Sequence, residues 1–336
     1  MNELFNLFTL ANTLKVDKLQ YSIDAKKIIR SISFELGSEE VLAVLGESGS
    51  GKSTLLKLIA GFLDPDKGTL LIEGEPIPSP SEKLIPGHPS IKMVRQDNPL
   101  FPNHSLRENI DYELRKYNSD YRKERVNHLL KLTGLQKVAD QLPRQSSEGE
   151  QQRASIARAL ADEPALLLLD EPFSNLDYGR KKELKKAIKD IVREEKMACI
   201  FVTHDISDVF GTANQLAILK DGKISQLDDP VQIYRHPNSQ YEAGLTGEFN
   251  IVEAKEAKKI LKLKSSDSKV LIRPEDIELS SNEGIEAEIR GIVDYGAFRQ
   301  ISLKIENLSL TAFTSEKSLK PSLVKIKINR FTEINR

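Results

Sequence analysis

The sequence of 336 residues has one cysteine, Cys199. A single thiol excludes an internal disulfide framework and suits a reducing compartment. Cys199 lies in an apolar run and is expected to pack as a small apolar side chain. Long hydrophobic runs are also lacking. A membrane-spanning helix needs roughly 20 apolar residues, and the longest candidates, 165–169 and 198–202, have the length of buried strands. The first dozen residues include Glu3 and lack a basic leader, a poor match to a secretory signal. The expectation is a soluble, intracellular protein with a loosely attached N-terminal extension. Charge of one sign is absent too: 49 basic side chains face 50 acidic ones, for a net charge of −1. A general nucleic-acid binder is expected to carry a basic excess, so that class is disfavoured.

What is present suits two domains, since the length is about twice the usual domain of roughly 150 residues. Between residues 15 and 228, short apolar runs at 41–45, 166–169, 198–203 and 215–219 alternate with helical patterns. Runs buried on both faces and separated by helices predict a mainly parallel sheet in an α/β domain. Residues 106–160 read mostly as helix, and 121–132 (YRKERVNHLLKL) set Val126, Leu129 and Leu130 on one face. After about residue 249 the texture changes. A lysine-rich, helix-like stretch at 252–264 leads into alternating segments at 270–272, 285–293, 300–305, 308–313 and 323–328. This predicts a small all-β domain. The expected organisation is an α/β domain over 13–248, with a helical insert at about 97–160, then a β domain over 250–336.

Residues 46–53 read Gly-Glu-Ser-Gly-Ser-Gly-Lys-Ser, a full match to the phosphate-binding P-loop. A strand-like VLAVL precedes the motif and an amphipathic helix follows it. Backbone N–H groups of Gly46, Glu47, Ser48, Gly49, Ser50 and Gly51 can turn inward around phosphates, with the helix dipole behind them and Thr54 in its first turn. Lys52 can reach the β- and γ-phosphates, and the Ser53 hydroxyl can ligate Mg2+. A nucleotide with Mg2+ is therefore expected to bind here, and the first domain is expected to be a P-loop NTPase. Residues 166–171, LLLLDE, form an apolar strand that ends in two acids. Such acids emerge at the edge of the sheet where ligands bind. Asp170 is placed to hold Mg2+, and Glu171, pointing differently, to act as base for an attacking water.

Further motifs in the same order make residues 15–248 resemble the nucleotide-binding subunit of ATP-binding-cassette (ABC) transporters. The resemblance implies that the nucleotide is ATP, that Tyr21 stacks on adenine and that Gln96, in VRQDNPLFPNHS, touches Mg2+ or water and senses the membrane partner. It also implies that Asp177, in PFSNLD, belongs to a loop lining the dimer interface. His204, in IFVTHD, matches the switch histidine that contacts the γ-phosphate. The most diagnostic segment, Leu-Ser-Gly-Gly-Gln, departs from the family pattern: residues 146–150 read Ser-Ser-Glu-Gly-Glu, and only Ser147 and Gly149 survive. In the family this segment closes on the partner's ATP. Glu148 beside a phosphate should repel it, and glycine permits backbone angles that Glu tolerates poorly. The expectation is normal ATP binding with slower closure or hydrolysis.

Residues 271–277, LIRPEDI, resemble a motif of the small OB-like TOBE domain of importer ATPases. An OB barrel can bind oligonucleotides. With only Tyr295, Phe298, Phe313 and Phe331 as aromatics there and no dense basic stripe, nucleic acid is not the expected partner. The resemblance implies an importer ATPase that pairs as a homodimer or with another ATPase subunit. It would dock on integral membrane permease subunits at the cytoplasmic face of the membrane and serve a solute-binding protein indirectly. Ferric iron, sulfate, molybdate, polyamines and sugars are the solute classes implied. The alternative is a regulatory ATP-sensing module with weak turnover.

Overall fold

The structure is a computed structural model that describes residues 13–82, 84–95, 100–265, 269–280, 283–316 and 322–334. The chain divides into two compact units, 1–230 and 231–336. Residues 231–248 therefore cluster with the second unit.

The first unit opens with an antiparallel hairpin, β1 (Leu14–Ile23) and β2 (Lys26–Leu36). Then follow β3 (Val41–Leu45), helix α1 (Lys52–Ile59), β4 (Lys67–Ile72), β5 (Glu75–Pro76) and β6 (Ile91–Val94). The helical insert comprises α2 (Leu106–Asp111), α3 (Ser119–Leu132) and α4 (Glu148–Ala159). The chain then returns through β7 (Leu166–Asp170), α5 (Tyr178–Glu194), β8 (Ala198–Thr203), α6 (Ile206–Val209), β9 (Gln215–Lys220) and β10 (Lys223–Asp228).

The central sheet has the order β10-β9-β3-β8-β7-β6, parallel except for the edge strand β10. A second, antiparallel sheet, β2-β1-β4-β5, was not foreseen from the sequence. It covers one apolar face of the first: Leu14, Ile32 and Leu36 share one core with Leu42 and Val44 of β3 and with Leu55 and Leu56 of α1. Strand alternation turns Val41, Ala43 and Leu45 to the opposite face, which is buried as well, so every residue of VLAVL is buried. The insert is helical as expected, and Val126, Leu129 and Leu130 form the buried face of α3.

The registers set the functional edge. Leu45 pairs with Thr203, and Asp170 pairs with Val202, both in parallel. The residues that follow these strand ends, Gly46, His204 and Glu171, therefore emerge side by side at the C-terminal edge, where open α/β sheets bind ligands.

The second unit carries α7 (Pro230–Arg235), α8 (Gln240–Thr246), β11 (Asn250–Val252), α9 (Ala254–Lys259) and β12 (Lys269–Ile272). The strands β13 (Ile277–Ser280), β14 (Ile285–Asp294), β15 (Arg299–Ile305), β16 (Leu308–Thr314), β17 (Leu323–Ile328) and β18 (Thr332–Ile334) complete it. They form two antiparallel sheets, β11-β12-β18 and β13-β17-β14-β15-β16, consistent with an OB-like domain. The helix expected over 252–264 is shorter: Val252 belongs to β11, and the backbone turns left-handed at Lys262. Arg273 explains why α7 and α8 join this unit. It is buried, and its guanidinium donates to the carbonyls of Tyr234, Ala243 and Glu248 and to the Thr246 hydroxyl.

Candidate active site

The loop after β3 is built by backbone constraint. A Cβ at Gly46 would lie 2.4 Å from the Leu219 carbonyl oxygen, so no larger residue fits there. Gly51 caps α1 with φ 107°, in the left-handed region that glycine enters without strain. Lys52, the first residue of α1, is buried, and its ammonium donates to the carbonyls of Gly46 at 2.8 Å and Glu47 at 3.0 Å. Burial pulls its pKa below the ordinary lysine value, against the opposing pull of Glu171 and Asp170. A desolvated cation beside a helix N-terminus can bind phosphate strongly.

Ser53 donates to Asp170 Oδ1 at 3.1 Å, which joins α1 to the end of β7. Burial raises the Asp170 pKa, and the nearby Glu171 adds to the shift, while Ser53, Lys57 and Lys52 oppose it. At the next residue the strand breaks. Glu171 has φ 48°, an uncommon conformation for a residue with a side chain. Its N–H still donates to the Val202 carbonyl at 3.2 Å, but its carboxylate leaves the alternation of β7. Glu171 Oε2 lies 3.4 Å from His204 Nδ1, at the end of β8. A carboxylate facing an imidazole there can orient or deprotonate a water.

Ser48, Gly49, Gly51, Lys52, Ser53, Thr54, Glu171 and His204 line one cavity of about 590 Å3 together with Ile23 and Ile28. Tyr21 is not among these lining residues; it is half-buried in β1 and packs against the core. Ile23 and Ile28, the apolar wall contributed by the first hairpin, escaped the sequence reading. Register shifts between Leu19 and Gln20 and between Tyr21 and Ser22 change which face each residue presents, and no sequence signal marks them. Gln96 lies outside the described residues.

Ser147, Gly149 and Asp177 stand apart from this cavity. Ser147 caps α4 in a reciprocal box: its hydroxyl accepts from the Glu150 N–H at 3.3 Å, and Glu150 Oε2 accepts from the Ser147 N–H at 2.7 Å and hydroxyl at 2.9 Å. Glu150 thus departs from the family pattern yet remains a sound capping residue. Glu148 is the first residue of α4 and has no left-handed backbone, so the angle penalty expected from the sequence does not arise. Its side chain lines a cleft of about 170 Å3 together with Glu171 and Asn175. Asp177 caps α5, accepting from the Arg180 N–H at 3.0 Å.

A P-loop between a buried parallel strand and its helix, with two acids and a histidine on adjacent strand ends, defines a nucleotide-binding ATPase domain. The ABC transporter family profile matches residues 29–174. The spermidine/putrescine import ATP-binding protein PotA of Nitratidesulfovibrio vulgaris is 39% identical over 226 residues, 67% of this chain and 60% of that relative. The Fe(3+) ions import ATP-binding protein FbpC 2 of Pectobacterium atrosepticum is 34% identical over 88% of this chain and 90% of its own length. Among solved structures, cbiO1 from Clostridium perfringens, part of the ABC transporter complex cbiONQ, superposes with a TM-score of 0.62 at 31% identity. That match covers 67% of this chain and 91% of the other. A dimeric ATP-binding cassette in a post-hydrolysis state with ADP and Pi gives a TM-score of 0.54 at 27% identity, over 64% and 98% of the two chains. The chain belongs to the ABC transporter family, as an ATP-binding subunit. These two relatives are named as import ATP-binding proteins, and they do not favour the ATP-sensing alternative.

Proposed function

We propose that this chain hydrolyses ATP as the motor of an importer for polyamines or ferric iron, the solute classes named for its relatives. The observation that supports this most is the convergence of Lys52, Ser53, Glu171 and His204, from three separate strand ends, on one cavity. In this reading the backbone amides of residues 46–51 and the Lys52 ammonium bind the β- and γ-phosphates. The base lies along the β1–β2 hairpin, where Ile23 and Ile28 line the cavity and Tyr21 stands two residues up the strand. Glu171 orients and deprotonates the attacking water, while His204 holds the Glu171 carboxylate and reaches the γ-phosphate.

Ser53 and Asp170 suit Mg2+. They are two hard oxygen donors side by side, and the carboxylate's burial disfavours its charge until a cation neutralises it. Bound there, Mg2+ would supply charge neutralisation on the phosphate oxygens.

Two copies would pair so that Ser147 and Gly149 of one close over the ATP of the other, with Asp177 lining the interface and Gln96 sensing the permease. ATP binding favours the closed pair and product release the open one, a ligand-driven population shift. Integral permease subunits would receive this motion at the cytoplasmic face of the membrane, and a solute-binding protein would deliver the cargo. Among the described residues no helix is long and apolar enough to cross a membrane, in keeping with attachment through such subunits. Residues 250–336 would form the TOBE-like domain.

The test is uptake of radiolabelled spermidine and ferric iron in cells with and without the gene, together with ATP turnover of the full chain purified with its permeases. Loss of one uptake on deletion, and turnover stimulated by the permeases, would support the reading. Unchanged uptake of both solutes would contradict the solute assignment. Turnover indifferent to every permease would contradict the motor.

A further inference from the structure

His204 is held by little of its own. Its side chain is 62% exposed, so core packing does not fix its direction. Its neighbours are held instead. The Thr203 hydroxyl donates to Asp208 Oδ2 at 2.9 Å and accepts from the Asp205 N–H at 3.0 Å. The Lys181 ammonium donates to Asp208 Oδ1 at 3.0 Å and to Asp205 Oδ2 at 3.3 Å. The residues on both sides of His204 are therefore closed into one polar ring by a single lysine from another helix. Asp208, the hub of that ring, is almost fully buried. Burial lowers the Lys181 pKa, but Asp208 and Asp205 outweigh it and the net shift is upward. Lys181 is thus charged throughout the neutral range.

Lys181 also has a geometric link to the other half of the site. It lies one turn into α5, its N–H donating to the carbonyl of the helix cap Asp177, and the segment 171–177 leads there directly from Glu171. A small cavity lined by Glu171, Lys181, His204 and Asp208, among others, lies between the ring and the catalytic pair.

We propose that Lys181 is a positioning residue for hydrolysis: by clamping Asp205 and Asp208 it aims His204 at Glu171. The inference rests on the role proposed above for His204 and Glu171. A purely structural lysine would contribute stability to the α5–α6 packing and nothing specific to the histidine. A positioning lysine acts on turnover and only through the histidine.

The experiment compares kcat and KM for ATP of the full chain as wild type, Lys181→Met, Lys181→Arg, His204→Ala and the His204→Ala/Lys181→Met double variant. The expected result is a fall in kcat of about tenfold for Lys181→Met, the order of loss from a misaligned catalytic group, with KM within about twofold. Lys181→Arg restores most of it. In the His204→Ala background, Lys181→Met changes kcat by less than about twofold, because the group it positions is already gone. If Lys181→Met does not fold, Lys181→Met/Asp208→Asn removes the uncompensated buried charge, keeps an acceptor for Thr203 and carries the same expectations. Equal loss of kcat in the two backgrounds, or a folded Lys181→Met with wild-type kcat, would overturn the proposal. A His204→Ala variant with wild-type turnover would instead remove the reading on which it rests.

Discussion

Ser53 and Asp170, 117 positions apart in the chain, meet through a hydrogen bond of 3.1 Å at the mouth of the phosphate loop. The bond seats a hydroxyl beside a carboxylate whose pKa burial has raised. A carboxyl with a folded-state pKa above its unfolded value favours the fold only while protonated. Its contribution is full below the ordinary carboxylate range and is lost as pH rises through the folded pKa.

Asp170→Asn should therefore stabilise the nucleotide-free protein near neutral pH. A gain of about 1 kcal/mol would raise Tm by about 2–4 °C in a domain of this size. The gain should shrink as pH falls toward the carboxylate range, and Mg2+ should cease to enhance ATP binding. Thermal melts at several pH values and ATP titration with and without Mg2+ check both parts. A lower Tm in the variant at neutral pH would contradict the assignment.

Glu148 is exposed at the start of α4, while Glu150 is tied into the cap. Charge repulsion between subunits should therefore come from Glu148. Glu148→Gly should raise turnover about fivefold, the worth of one like-charge contact of about 1 kcal/mol at ~4 Å in water, and the gain should fade in high salt. It should also lower Tm slightly, because an acid leaves the first turn of a helix. Unchanged turnover in the assembled complex would show that Glu148 does not limit closure.

Arg125 and Glu195 form a buried pair that fastens the insert helix α3 to the end of α5, with contacts of 2.9 and 2.7 Å. Burial alone would raise the Glu195 pKa, but Arg125 and His128 outweigh it and hold the pKa below the ordinary value. Arg125→Met should cost about 3 kcal/mol by leaving that buried carboxylate with only the exposed His128 as partner, and Arg125→Met/Glu195→Met should cost less. Urea unfolding midpoints give the comparison. A double variant less stable than the single one would contradict the pairing argument.

The parts of the fold legible in the sequence were those with local causes. VLAVL and LLLLD read as strands because both faces are buried, and Gly46 to Ser53 reads as a phosphate loop because its function depends on adjacent residues. The antiparallel sheet was not legible, since the register shifts along β1 break its period-two pattern. Ile23 and Ile28 were missed for the same reason. The Lys181–Asp208 contact spans 27 positions and depends on how α5 packs beside α6, which neither segment encodes alone. The box joining Ser147 to Glu150 could have been read from the Ser-x-x-Glu spacing. The family pattern drew attention to what was missing there rather than to the cap that replaced it.

The central claim is that Glu171, set by its left-handed turn opposite His204, is the base of an active ATPase. Steady-state phosphate release by the full chain with its permeases, wild type against Glu171→Gln, tests it most directly. The account predicts turnover in the wild type and its loss by at least about a hundredfold in the variant, while ATP binding persists. Wild-type turnover in Glu171→Gln, or a wild-type complex that binds ATP and releases no phosphate, would contradict it.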